Sequence, residues 1–172
     1  QEGTEQVDIL FVVDDSRSMA SEQEKVAEGF GDFMAAFVDT DLDFQLGITT
    51  TDLDESYEGA GRLVGNPPYL GSSDDWQGEM SGRFQVGTDG SDKERGIQAA
   101  LHALTAPDLE SQWGDFLREG TVLALIFVSD ENDCSDENLL SDEADYITAT
   151  RLDIDGGLTK SIFDHMPGRK WD

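Results

Sequence analysis

A set of side-chain oxygens directly follows the first apolar segment of the sequence. Residues Val7–Asp14 read VDILFVVD, and Ser16 and Ser18 follow Asp14 in the pattern D-x-S-x-S. Alternate positions of a tight turn can direct their oxygens towards one centre. Carboxylate and hydroxyl oxygens suit Mg²⁺, Mn²⁺ or Ca²⁺ better than zinc or copper. The turn is therefore predicted to form the core of a divalent-metal site.

The most hydrophobic segment of the chain also ends in an acid. Residues Val122–Val128 read VLALIFV, and Asp130 follows them. Ligands of open α/β sheets bind at the carboxyl ends of the central strands, so Asp14 and Asp130 are expected to lie close together. Two carboxylates in one crevice repel each other unless a cation or a proton lies between them. The pair supports the prediction of a cation site.

The elements that must position these residues follow from the hydrophobic pattern. Both apolar segments are typical of strands buried on both faces of a parallel sheet. Apolar residues at helical spacing predict helices, and alternation predicts a further strand with one exposed face near the sheet edge. These additional elements are a helix over 22–37, a strand over 42–48, a short strand at 62–64, helices over 93–104 and 109–117, a strand over 146–154 and a helix over 158–165. Strand–helix alternation predicts an α/β domain with a mainly parallel sheet.

The region between the second strand and the second helix is rich in Gly, Pro, Ser and Asp. This composition predicts a long loop over about 52–90, and loops of that length are usually functional or disordered. Ser91 and Glu94 have the spacing of a capping box, which predicts that they begin the helix over 93–104.

The chain is strongly acidic, with a formal net charge of −27. Such a field repels nucleic acids and anionic membrane surfaces, so neither is an expected partner. No apolar segment has transmembrane length, which argues against direct membrane insertion. The single cysteine, Cys134, has no partner in the chain for a disulfide, and its role is left open.

The D-x-S-x-S turn resembles the metal ion-dependent adhesion site of von Willebrand factor type A (vWA) domains. The resemblance runs in the family's order through DILFVVDDSRSM, the following helix, FQLGITTTD, GTDGSDKERGIQAALHAL and LALIFVSDEND, about Val7 to Asp133. The motifs are most similar to those of bacterial secreted proteins and lipoproteins. The resemblance implies a three-layer, Rossmann-like doubly wound sheet, mainly parallel with one antiparallel edge strand, and helices on both faces. The whole chain, 1–172, is then a single domain with a loop insertion at about 52–90 and a reduced or incomplete C-terminal part.

The resemblance also implies a set of site residues. The implied ligands of Mg²⁺ (or Mn²⁺ or Ca²⁺) are Asp14, Ser16, Ser18, Thr88 and Asp130. Ser91 is an alternative to Thr88, because it lies nearer to the family's usual distance before the helix. The expected ligand-contacting residues are Asp15, Arg17, Thr51 and Glu131, and Arg17 stands where the family usually has glycine. The acidic run over 131–145 offers an additional Ca²⁺ site, although such runs are usually only solvated.

The function implied by the resemblance is binding, not catalysis. The protein leaves one coordination position of the ion open, and the Asp or Glu carboxylate of a partner protein fills it. The chain is then an adhesion or protein-binding domain, expected to be monomeric and to lie outside the cell, on its surface or in the periplasm. Its own negative charge repels acidic partners at long range, so the attraction must be short-ranged and mediated by the metal.

Three alternatives remain open. A calcium-stabilised structural module of a surface adhesin fits the acidity, and an intracellular partner of an AAA+ ATPase would share the same metal site. A haloacid-dehalogenase-type phosphatase also places an Asp and Mg²⁺ after its first strand. The motif of that enzyme class is similar to D-x-D-x-T or D-x-D-x-V, whereas this chain has Ser16 at the third position and no convincing phosphate-binding lysine.

Overall fold

The computed structural model describes residues 6–38, 42–54, 60–91 and 93–135. The chain divides into two units, Gln1–Cys134 and Ser135–Asp172, and every element described below belongs to the first. The strand predicted over 146–154 and the helix predicted over 158–165 lie outside the described residues, as does the acidic run from position 136 onwards.

A mixed sheet organises the described residues. Its strands are β1 (Gln6–Val13), β2 (Asp43–Thr50), β3 (Tyr69–Gly71) and β4 (Val122–Val128), in the spatial order β3-β2-β1-β4. β1 pairs in parallel with β2 and β4, whereas β3 runs antiparallel to β2 at the edge. The prediction of an α/β fold with a mainly parallel sheet and one antiparallel edge strand is confirmed.

The described residues contain four α-helices. They are α1 (Ala20–Val38), α2 (Trp76–Arg83), α3 (Gly96–Thr105) and the short α4 (Glu110–Trp113). None of these helices is both long enough and apolar enough to cross a membrane. The prediction of α1 was close, whereas the helix predicted over 109–117 is a 3₁₀ turn, Pro107–Leu109, followed by the single turn of α4.

β1 is buried on both faces, as its apolar sequence predicted. Ile9 and Phe11 belong to a core cluster that includes Phe30 of α1. On the other face, Leu10 of β1 and the Phe116 ring pack closely against Gly47 of β2. A Cβ atom added to Gly47 would lie 3.2 Å from the Phe116 ring and 3.5 Å from Leu10 Cδ1. The burial of both faces fixes the register of β1 and so the position of the chain where it leaves the sheet.

Two of the predicted strands have different surroundings from those expected. β2 was predicted to have an exposed face, but the sequence from Leu46 to its end is fully buried, since α3 also packs against it. β4 was predicted to be a central strand, but it lies at the edge of the sheet formed by the described residues. Val122 is accordingly 65% exposed and Phe127 is 42% exposed.

The region 52–90 contains more structure than its composition predicted. The short strand lies at β3, not at 62–64, and α2 was not predicted. Trp76 and Met80 of α2 are one turn apart and buried in the core cluster, and the Asp75 carboxylate accepts a hydrogen bond from Gly78 N at its start. Burial of these apolar side chains stabilises a helix that its glycines disfavour.

The N-terminus of α3 is held from outside the helix. The predicted capping box is wrong, because α3 begins at Gly96 and the Glu94 side chain bonds elsewhere. Instead the Asp133 carboxylate, from the loop after β4, accepts a hydrogen bond from Ile97 N at 3.0 Å. A carboxylate here satisfies a free backbone donor and complements the helix dipole.

Replacing Asp133 with alanine should lower the free energy of unfolding by about 1 kcal/mol, the usual cost of a lost helix cap. Asp133→Asn is the matched control, because it keeps an oxygen acceptor and loses only the charge; its loss should be smaller. Urea denaturation in the presence of EDTA measures both. An alanine variant as stable as the unmodified protein would contradict this role of Asp133.

Candidate metal centre

Asp14 lies at the point where β1 ends, completely buried. Its backbone N donates to Val128 O at 2.9 Å, which continues the pairing of β1 with β4. Its side chain accepts two hydrogen bonds, from Ser16 N at 2.8 Å and from Ser129 Oγ at 2.6 Å. The Asp14 carboxylate is therefore held in one orientation, between the loop after β1 and the loop after β4.

The two serines and Asp130 form a continuous row of oxygens. Ser16 Oγ lies 3.1 Å from Ser18 Oγ, and Ser18 Oγ donates to Asp130 Oδ1 at 3.2 Å. Adjacent ligands of an octahedral ion with bonds of about 2.1 Å lie about 3 Å apart. The oxygens thus have the type and spacing that Mg²⁺ or a slightly larger ion needs. The sequence-based expectation that the ends of β1 and β4 converge is confirmed.

Thr88 and Ser91 lie in a third loop, which is tied to the first. The Gln23 side-chain amide donates to both Asp14 O, at 2.9 Å, and Gly87 O, at 2.7 Å, and Gly90 N donates to Asp15 O at 2.9 Å. Within the described part of the chain, neither the Thr88 nor the Ser91 hydroxyl is hydrogen-bonded to the other four predicted ligands; Ser91 Oγ accepts from Lys93 N. The two remain predicted ligands.

The centre contains two further buried acids. Asp15 is 1% exposed and Glu94 is 2% exposed. Thr51 Oγ1 lies between them, in a short hydrogen bond with Glu94 Oε2 and 3.4 Å from Asp15 Oδ1. Asp15 Oδ2 and Glu94 Oε1 are buried without a hydrogen-bond partner. Each of these two acids therefore has one buried carboxylate oxygen that no hydrogen bond satisfies.

Burial changes the acidity of both groups. It raises the pKa of Asp15 to about 6, with the charge of Asp52 as the next cause. It also raises the pKa of Glu94 to about 7; the hydrogen bond from Thr51 opposes this shift, and the nearby charges of Asp14 and Asp15 add to it. Ionising these carboxyls is costly because each new charge is desolvated and adjoins another.

No basic side chain of the described residues forms an ion pair with these acids. The buried Asp8, near the opposite end of β1, has its charge compensated by an ion pair, since Arg118 Nε lies 2.8 Å from its carboxylate. Asp14, Asp15 and Glu94 have no such pair among the residues described. A bound cation or protonation must take that role, because buried charges require compensation.

The remaining predicted contact residues fall into two groups. Arg17 and Glu131 are exposed at the rim of the site, where a partner could touch them. Asp15 and Thr51 are buried, and Thr51 Oγ1 lies 3.4 Å from Asp15 Oδ1.

Three residues of the centre were missed by the sequence analysis. Ser129 holds Asp14, Gln23 connects the first and third loops, and the buried Glu94 accepts a hydrogen bond from Thr51. Ser129 lies between β4 and Asp130, directly after a strand, which is where site residues are expected in a parallel sheet. Among the described residues, no three His, Cys, Asp or Glu side chains form a metal-ligating group by themselves; the predicted ligand set combines carboxylates with serine hydroxyls.

Comparison with known proteins adds no relative. No protein-family model, curated protein or solved structure matches the chain. The likeness to vWA domains therefore depends on the motifs quoted above, and it remains a prediction.

Proposed function

We propose that this chain is a vWA-like, three-layer doubly wound domain that binds a protein partner through a divalent cation. The observation that carries the proposal is the row of oxygens from Ser16 through Ser18 to Asp130, backed by the buried Asp14 carboxylate. The row lies at the carboxyl ends of parallel strands, where α/β sheets bind their ligands.

Each residue has a distinct task in this proposal. Asp14, Ser16, Ser18 and Asp130 hold the ion, Mg²⁺ or alternatively Mn²⁺ or Ca²⁺, and Thr88 or Ser91 is the expected ligand from the third loop. The ion supplies a Lewis-acidic centre for an Asp or Glu carboxylate of the partner. Ser18 and Asp130 are exposed, so the outer side of the row is open to solvent and to such a partner.

Arg17 and Glu131 at the rim are the residues that a partner would contact around the ion. Binding, not turnover, is the proposed activity, and the chain is proposed to act as a monomer outside the cell, on its surface or in the periplasm. A phosphatase of the haloacid-dehalogenase type would need an acid at the third motif position, where Ser16 supplies only a hydroxyl.

Mn²⁺ with acetate tests the proposal without a known partner. One Mn²⁺ should bind per chain, and acetate should lower the water-proton relaxation enhancement of the bound ion, because the carboxylate displaces a coordinated water. A matched neutral additive, acetamide, should have a much smaller effect. Absence of Mn²⁺ binding would contradict the metal site itself.

The same experiment separates a second candidate function, a calcium-stabilised structural module. The buried Asp15 and Glu94 favour this candidate, because a cation would offset their repulsion. Bound Mn²⁺ that never responds to acetate, together with a large rise in melting temperature on adding Ca²⁺, would support the structural role against partner capture.

A further inference from the structure

We infer that Glu94 is the third-loop ligand of the ion, in the position that the sequence assigns to Thr88 or Ser91. The inference rests on the proposed function, since it concerns the same ion. It changes the chemistry of the site, because a charged carboxylate replaces a neutral hydroxyl.

The first support is the position of the Glu94 carboxyl group. It is buried near the charges of Asp14 and Asp15, and its Oε2 accepts a hydrogen bond from Thr51 Oγ1. Its other oxygen, Oε1, is buried without a hydrogen-bond partner. A buried, unsatisfied carboxylate oxygen beside the principal predicted ligand is a free donor for a cation, and leaving it unpaired is unfavourable.

The second support is the way in which the backbone fixes Glu94. Its carbonyl oxygen accepts a hydrogen bond from Cys134 N at 2.6 Å, and Arg95 N, the next donor along the chain, bonds to Thr51 O at 3.3 Å. The loop after β4, which carries Asp130, and the loop after β2 thus both hold the segment at Glu94. Such support from neighbouring loops is what positions a metal ligand.

The two hydroxyls of the same loop are arranged differently. Ser91 Oγ accepts from Lys93 N at 3.1 Å, and Ser91 N donates to the Asp52 carboxylate at 3.1 Å, so this residue is engaged within its own turn and with Asp52. Thr88 is half-buried, with no hydrogen bond to the other ligands in the described part of the chain. Of the three side chains, only that of Glu94 is buried with an oxygen that has no hydrogen-bond partner.

A third carboxylate beside Asp14 and Asp130 should strengthen cation binding, because affinity for oxygen-liganded ions rises with the number of charged ligands. The ion would then carry less net positive charge towards an incoming acid. Glu94 would in this way set the balance between holding the ion and attracting the partner.

Titration calorimetry with Mn²⁺ on the whole chain tests the assignment. Glu94→Gln should weaken Mn²⁺ binding by about 10-fold or more, whereas Thr88→Ala and Ser91→Ala should change it by less than about 3-fold. Glu28→Gln, an exposed position on α1, is the matched control and should bind as the unmodified protein does. Circular dichroism verifies that each variant is folded.

Glu94→Asp separates a direct ligand from a charge that acts at a distance. The shorter side chain keeps the charge but withdraws it, so a ligand role predicts a loss close to that of Glu94→Gln. Retained affinity in Glu94→Asp would overturn the inference, as would normal affinity in Glu94→Gln.

Failure of the inference and failure of the proposed function have different signatures. If the unmodified chain binds Mn²⁺, Asp14→Asn abolishes binding and Glu94→Gln does not weaken it, only the inference fails. If the unmodified chain does not bind Mn²⁺, or Asp14→Asn binds it normally, the metal site itself is refuted.

Discussion

Replacing Asp14 with alanine should abolish binding of Mg²⁺ and Mn²⁺, with a loss of affinity greater than about 100-fold. Asp14 is the one predicted ligand that is completely buried and held by both the first loop and the loop after β4. Its removal deletes a charged ligand and also releases Ser129 and Ser16 N, which orient the neighbouring loops. Calorimetric titration of each ion measures the loss.

Asp14→Asn keeps the shape and an oxygen acceptor for Ser16 N, so it shows whether the loss comes from charge or from misfolding. It should also lose most of the affinity while retaining the melting temperature of the metal-free protein. Asp32→Ala, on an exposed position of α1, is the control for removing one of many acids from the chain. If Asp32→Ala weakened binding as much as Asp14→Ala, the cation would be attracted by the general acidity and not by this site.

Four residues of this site could be predicted from the sequence, because each directly follows a strand that its own local sequence identifies. Two segments rich in β-branched and apolar residues can only be strands in this context, and the polar residues after them must emerge at the same sheet edge. Asp14, Ser16, Ser18 and Asp130 come from just those positions, and the structure brings them together.

The buried contact between Glu94 and Thr51 could not be predicted, because it depends on loops that are distant in the sequence. Ser91 and Glu94 have the spacing of a capping box, and no local feature shows that Glu94 turns away from α3 towards Thr51. That direction is set by the loops after β2 and β4, which hold the segment from both sides. A local pattern was overridden by tertiary structure.

The position of β4 at the edge of the described part of the sheet has a similar explanation. Its sequence VLALIFV is as apolar as that of a strand with neighbours on both sides, and sequence alone does not define which strands flank it. Likewise α2 contains glycines in a polar region, and only the burial of Trp76 and Met80 against the core stabilises it as a helix. In both cases the packing partners lie far away in the sequence.

The metal-free protein should lose stability as the pH rises from about 4 to about 7. The folded-state pKa of Glu94 is raised from 4.5 to about 7, and that of Asp15 from 3.8 to about 6, both chiefly by burial. An acid whose pKa is raised on folding contributes full stability below its unfolded pKa and loses it as the pH passes the folded pKa.

Glu94→Gln isolates this contribution, because glutamine cannot ionise. In EDTA its melting temperature should fall less with pH than that of the unmodified protein, by roughly 5 °C or more, whereas Glu28→Gln should follow the unmodified protein. The general repulsion of an acidic chain changes almost equally in both variants, so the difference between their profiles belongs to the buried site. Parallel profiles would show that Glu94 does not carry a raised pKa. Added Mg²⁺ should restore the stability of the unmodified protein at high pH, where the carboxylates are ionised and a cation offsets their repulsion.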